Sequence, residues 1–260
     1  MERFKSIRVL IRGNDDLHTI HRFRIGEIRL AMNFRYSLSG VEWPLSLTKL
    51  HLGWQFNHSM TGIELPRSLV NLNLGHDFSH SLIGTVFPRS LTSLHLGGSF
   101  NHSLVGVELP PSLTTLHLGG CFNRSLVGVE WSPSLTNLHL GWQFNHSLAG
   151  VDLPQSLTTL HLGRRFNQSL IDVELPLSLT HLHLGDRFNH SLIGVKLPLS
   201  LTHLHLGWAF NHSMTDVELP PSLSNLYLSA HFTQMCSIII LCNIIPFSYV
   251  LFNHTSSQFQ

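Results

Sequence analysis

Phenylalanine recurs every 22 residues, at Phe34, Phe56, Phe78, Phe100, Phe122, Phe144, Phe166, Phe188, Phe210 and Phe232, with no insertion to break the series. Around each Phe the same wording returns. Its clearest copy runs Ser112-Leu113-Thr114-Thr115-Leu116-His117-Leu118-Gly119, then Cys121-Phe122-Asn123-Arg124-Ser125-Leu126, then Val127-Gly128-Val129-Glu130. A fixed period of this length restricts the chain to a stack of like coils. One copy buries too little to stand alone, so each must use its neighbours.

Each copy holds two related half-patterns, Leu113-x-x-Leu116-x-Leu118 and Leu126-x-x-Val129-x-Trp131. The last two apolar residues of each half are two apart, so they share one face of a short strand. Gly119 follows the first half, and a proline such as Pro110 or Pro154 follows the second, where the chain must turn. The pattern predicts a strand near 115–118 and a weaker one near 128–131. Stacking would align them as two parallel sheets around a thin apolar core. No copy shows apolar residues at helical spacing. The expected fold class is a mainly β repeat solenoid.

The apolar fraction is 43% and the charged fraction 12%, which excludes a disordered chain. A net charge of +1 gives no case for nucleic acid. Half of the Lys and Arg crowd into the first 35 residues, which carry +4 against Glu2, Asp15, Asp16 and Glu27, and read as a solvated cap. Cys121, Cys236 and Cys242 make no disulfide framework, and Cys121 holds a slot that is polar or small in other copies. Free thiols fit a reducing compartment. Asn57, Asn101, Asn123, Asn145, Asn167, Asn189, Asn211 and Asn253 open Asn-x-Ser/Thr sequons. All but the last occupy one repeat position after the core Phe, so the sequons read as by-products of the repeat whose Asn bond neighbouring backbone. The start, Met1-Glu2-Arg3-Phe4-Lys5-Ser6, lacks the apolar core of a secretion signal. The expected location is cytoplasmic.

Leu-x-x-Leu-x-Leu at this period resembles leucine-rich repeats. The fuller wording from Leu109-Pro110-Pro111-Ser112-Leu113 through Leu116-His117-Leu118-Gly119 to Phe122-Asn123 resembles the FNIP repeat, a relative of that family. The resemblance covers residues 25–233 and implies leucine-rich-repeat-like coils and a protein-interaction role, often beside an F-box or kinase domain. Residues 1–24 are too short for either and read as an N-terminal cap or half-coil, with Phe4, Ile7 and Val9 matching Ile25, Ile28 and Leu30 one residue out of step. Residues 234–260 form an apolar tail. The chain departs from the family wording in reading Asn-His-Ser where the name implies Asn-Ile-Pro.

Stacking turns each repeat position into a surface column. The outward slot of the first strand holds His51, Asn73, His95, His117, His139, His161, His183, His205 and Tyr227. His181 and His203 stand beside His183 and His205, and four neutral imidazoles on adjacent strands suggest zinc or pH sensing as an alternative to partner binding. No Cys, Asp or Glu joins them at ligand spacing, so no metal or cofactor is expected. Repulsion between stacked imidazolium ions would depress their pKa values. The matching slot of the second half holds Glu42, Glu64, Val86, Glu108, Glu130, Asp152, Glu174, Lys196 and Glu218, a negative stripe that reads as a solvated face.

Copies disagree most at the two residues after the turn glycine. These include Trp54, Trp142, Arg164, Arg165, Arg187 and Trp208. Trp and Arg dominate binding hot spots, so this rim, with the His column at His95, His117, His139, His161, His183 and His205, is the candidate contact surface for another protein. Met235–Phe252 is an apolar run of 18 residues. It reads as a capping coil, with Ile239 and Leu241 in register with Val217 and Leu219; a membrane tether is the alternative, weakened by Asn243 and Pro246. No nucleotide loop or paired-cysteine motif occurs, and a periodic surface offers no single place where a catalytic triad converges. The expected function is a non-catalytic interaction scaffold.

Overall fold

In each copy the central leucine of the first half-pattern is flanked by polar residues and becomes the middle of a three-residue strand. A computed structural model of the chain describes residues 8–13, 15–229, 232–233 and 249–253. The chain sorts into two compact units, Met1–Phe122 with Val129–Leu135, and Asn123–Gly128 with Thr136–Gln260. The first contains β1 (Arg8–Ile11), β2 (Glu27–Leu30), β3 (Lys49–His51), β4 (Asn71–Asn73), β5 (Ser93–His95) and β6 (Thr115–His117). The second contains β7 (Asn137–His139), β8 (Thr159–His161), β9 (His181–His183), β10 (His203–His205), β11 (Asn225–Ser229) and β12 (Tyr249–Asn253). Within each unit consecutive strands pair in parallel, with equivalent leucines opposite one another: Leu50, Leu72, Leu94 and Leu116 in the first, Leu138, Leu160, Leu182, Leu204 and Leu226 in the second. The expected parallel-strand solenoid is the fold, and the described residues include no α-helix.

The phenylalanines form the spine of each unit. Phe56, Phe78, Phe100 and Phe122 are fully buried and stack at 6.5, 6.3 and 6.2 Å between centroids. In the second unit Phe144, Phe166, Phe188, Phe210 and Phe232 stack at 6.1 to 6.2 Å. Near-parallel rings at this spacing fill one slot per coil, which is why the period admits no insertion.

Among the described residues each unit has one sheet, and the expected second sheet does not form. The segment near 128–131 carries no strand, and the same side of other copies is built from two tight turns. In one copy Val107 N–H donates to the Leu104 carbonyl (3.1 Å) and Leu113 N–H to Pro110 (3.0 Å). Two closely spaced turns leave only a short extended link between them, and Pro110 has no N–H to give a ladder. Gly106 has φ of +77° in the first of these turns, a left-handed conformation natural to glycine. Asp172 occupies the equivalent position at φ +61° and is the one non-glycine residue with positive φ among those described.

Polar side chains stitch coil to coil. Thr180 Oγ1 donates to the Thr158 carbonyl at 3.0 Å, and Ser178 Oγ lies 2.7 Å from the Leu157 carbonyl. The sequon asparagines do bond backbone: Asn145, Asn167 and Asn189 each accept, through Oδ1, the N–H of the residue one period on, at 2.7, 2.9 and 3.1 Å. The His of Asn-His-Ser has its own partner. His190 and His212 Nε2 reach the Asn167 and Asn189 carbonyls at 3.1 and 3.0 Å. The departure from the family wording is therefore a second stitch, which supplies hydrogen bonds where Ile-Pro supplies none.

The N-terminal region differs in register from the expectation. Val9 stands opposite Ile28 and Ile11 opposite Leu30, a shift of two from the anticipated pairing of Val9 with Leu30. A two-residue shift keeps the same side chains on the core face, so Ile11 and Leu30 are both buried. Between β1 and β2, 3-10 turns at Asp15–His18 and Ile20–Arg22 bury Leu17 and Ile20. Phe4 and Ile7 lie outside the described residues, as do Ile239, Leu241 and most of the apolar tail. The backbone of β12 pairs with β11 in parallel, from Asn225 opposite Tyr249 to Ser229 opposite Asn253.

Candidate interaction surface

The histidine column is a stack of rings. In the first unit His95 and His117 lie 4.1 Å apart between centroids; in the second, His139, His161, His183 and His205 are spaced at 4.2, 3.9 and 3.8 Å, and Tyr227 lies 3.6 Å from His205. Stacking covers ring faces and leaves these residues half-buried. Burial, more than the expected mutual repulsion, leads the effects that lower His183 and His205. It pushes His183 down to about 3, with His205 and His181 adding to the effect. It pushes His205 down to about 4, assisted by His161 and His203. His51, His95 and His181 are lowered for the same first reason.

The four-histidine patch does not form a metal cradle. His181 and His203 stack face to face at 4.2 Å, and parallel rings direct their lone pairs side by side instead of toward one point. Nδ1 of each is 2.9 Å from the preceding threonine hydroxyl. His203 Nε2 is 2.7 Å from the Asn225 amide nitrogen. Among the described residues no group of His, Cys, Asp and Glu could hold a metal ion.

The acidic stripe is exposed at every position from Glu42 to Glu218, Val86 and Lys196 included. At the N-terminal end one acid is treated differently. Glu27 is buried, taking Arg29 Nε at 2.7 Å and Arg8 Nε at 2.9 Å, and the Arg29 hydrogen bond leads the effects that hold its carboxyl below the usual range. A crevice of about 420 Å³ lies nearby, lined mainly by Val9, Leu10, Ile11, Ile20 and Phe23, with Asp16 and Thr19 its polar groups.

Backbone hydrogen bonds tie the rim residues coil to coil. Arg165 N–H donates to the Trp142 carbonyl (2.9 Å), Arg187 to Arg164 (3.0 Å) and Ala209 to Asp186 (2.8 Å). Coil stacking thus holds the main chain whatever the side chain, which explains why copies are free to differ here. Trp54, in the first unit, lays its ring on His76 at 4.3 Å, and His76 Nδ1 pairs with Asp77 at 2.9 Å. In the second unit Trp142, Arg164, Asp186 and Trp208 occupy one slot on successive coils, with Arg165 and Arg187 in the next slot. The Arg164 guanidinium sits 5.1 Å over the Trp142 ring and bonds Asp186 at 2.8 Å. Trp142 and Trp208 are each 55% exposed. These residues line an open cleft of about 730 Å³. The sequence groups Trp54 with the other two Trp and gives no signal that singles out Asp186. The charge pairing was readable only as an alternation of sign within one column.

The FNIP Repeat profile matches six times, over residues 78–121, 100–129, 122–165, 144–187, 166–209 and 188–231, together more than half of the chain. No curated protein is significantly similar in sequence. Among solved structures, CroV588, a circular leucine-rich-repeat protein, is 32% identical with a TM-score of 0.58, covering 81% of this chain and 38% of that one. YopM from Yersinia enterocolitica is 27% identical with a TM-score of 0.50, covering 78% of this chain and 41% of that one. An internalin (inlF) from Listeria monocytogenes shares the fold at 17% identity, with a TM-score of 0.51 and coverage of 92% and 78%. The chain thus spans about two fifths of the length of the first two. The repeated Leu triplet, the Phe spine and the six contiguous matches carry one conclusion: the chain belongs to the FNIP-repeat family.

Proposed function

We propose that the chain is a non-catalytic interaction module that binds another protein through the cleft of its second unit. Leucine-rich-repeat-like folds generally mediate protein–protein interaction, and scaffolds of this kind are typically non-catalytic. The observation that carries the reading is a pair of half-exposed tryptophans, Trp142 and Trp208, framing an arginine cluster. Large exposed aromatics beside Arg are the composition of interface hot spots. The test is affinity capture from native extract with the chain and with its Trp142→Ala/Trp208→Ala variant. The expected result is a protein retained by the former and lost by the latter; equal retention overturns the reading.

The cytoplasm is the compartment we assign. Cys121 is a free, exposed thiol, which fits a reducing compartment. Subcellular fractionation tests this, and a glycosylated chain in the secretory fraction overturns it. Among the described residues no helix is long and apolar enough to cross a membrane.

A further inference from the structure

Arg165 and Arg187 are equivalent residues on neighbouring coils, so their backbones sit about 4.8 Å apart, the spacing of paired strands. Both are exposed, and among the described residues no carboxylate is in ion-pair contact with either. Arg164, one column over, already has Asp186 at 2.8 Å. The cleft therefore holds three guanidiniums against one carboxylate, with two of the cations unneutralised and side by side. Two cations held on adjacent coils repel one another, and an anion laid between them relieves that repulsion.

The tryptophans fix the scale. Trp142 and Trp208 are three coils apart, about 14 Å, which an extended peptide spans in about four residues. Arg164 lies over the Trp142 ring, at 5.1 Å, while Trp142 and Trp208 both remain exposed. Arg164 and Asp186 also demonstrate that a guanidinium and a carboxylate on adjacent coils meet at full hydrogen-bond contact here.

We infer that the cleft recognises an extended acidic peptide segment of the partner protein. Aspartate or glutamate side chains two positions apart, hence on one side of the strand, engage Arg165 and Arg187, and flanking apolar or aromatic side chains rest on Trp142 and Trp208. This rests on the binding role proposed above and adds the chemistry of the ligand.

A displayed library of random short peptides, selected on the full chain, tests it. The expected outcome is enrichment of paired Asp or Glu beside apolar residues. Affinity of a selected peptide should weaken with added salt and fall about tenfold or more in the Arg165→Gln/Arg187→Gln variant. Enriched peptides with no acidic excess, or affinity unchanged in that variant, overturn the inference. So does an empty selection. Where such neutral peptides are lost in the Trp142→Ala/Trp208→Ala variant, the cleft remains a protein-binding site and only the acidic chemistry falls. An oligothymidylate bound more tightly than the best peptide assigns the arginines to nucleic acid and overturns the inference too.

Discussion

Lowering the pH to about 5 should weaken this protein, and His183 and His205 should account for a separable part of the loss. Unfolded, each imidazole titrates near 6.5; folded, burial holds His183 at about 3 and His205 at about 4. Both folded values lie below the unfolded one, so between them the unfolded chain binds more protons. Their contribution is complete above 6.5 and is lost as pH falls through the window toward 4 and then 3. At about pH 5 the unfolded ring is protonated and the folded ring is not, a gap of about 1.5 pH units from the unfolded pKa, or about 2 kcal/mol per ring. His205 is the more open to solvent and is discounted to about 1 kcal/mol, making about 3 kcal/mol for the two. Out of a typical stability of about 5–15 kcal/mol this is a large share. Urea unfolding followed by circular dichroism at about pH 7.5 and pH 5 measures it, with an expected fall in midpoint of about 1 M for a denaturant slope of about 3 kcal/mol per molar. The decisive comparison is with a His183→Gln/His205→Gln variant. Its acid loss should be smaller by about 3 kcal/mol. Equal losses in the two proteins would refute the assignment to these rings.

Four further substitutions test the packing and the backbone of the coils. A Cβ on Gly97 would lie 1.9 Å from the Gly75 carbonyl oxygen, so Gly97→Ala should cost about 3 kcal/mol or more, because the backbones of two coils must part. At Gly98 the nearest atoms belong to the His76 ring, which can move, and Gly98→Ala should cost about 1 kcal/mol; equal shifts in thermal midpoint would show the coils to be looser than drawn. Phe100→Ala, between Phe78 and Phe122 in the buried stack, should cost about 3–5 kcal/mol in urea, and an unchanged midpoint would remove the spine from the account of stability. Asp172→Gly relieves the left-handed strain at φ +61° and should raise stability by about 1 kcal/mol, whereas a lower midpoint would mean that the Asp side chain contributes more than its backbone costs.

Much of the fold was legible because repetition reveals adjacency. When a residue is followed one period on by its equivalent, stacking makes the two neighbours, and Phe166 must meet Phe188 as Leu160 must meet Leu182. The sequon asparagines were legible as backbone partners for the same reason. The second side was misread because Val129-x-Trp131 carries the alternation of a strand while the turns around it leave no length for a ladder. Alternation reports which side chains face inward and says nothing of whether main-chain groups find a partner strand. The register of β1 escaped for a related reason, since a shift of two preserves the pattern that was being read.

The candidate site was legible as a location and not as a chemistry. Disagreement between copies marked the rim, and the structure gives the cause in backbone bonds that tolerate any side chain there. Which charges cancel, however, depends on contact across coils: Arg164 reaches Asp186, while among the described residues no carboxylate pairs with Arg165 or Arg187. The same holds for the histidines, whose direction of titration followed from stacking but whose leading cause, burial, required the surrounding atoms.

By itself the sequence determined a stack of identical coils, the identity of the buried Leu and Phe columns and the rim where function can vary, because a strict period makes every neighbour along the stack a known residue. Only the tertiary structure decided that one side of the coil is strand and the other turns. It alone placed the Arg164 guanidinium over the Trp142 ring and against Asp186, and set the proton affinity of His183 and His205. Those properties depend on distances, desolvation and hydrogen-bond geometry in three dimensions, to which a one-dimensional period is blind.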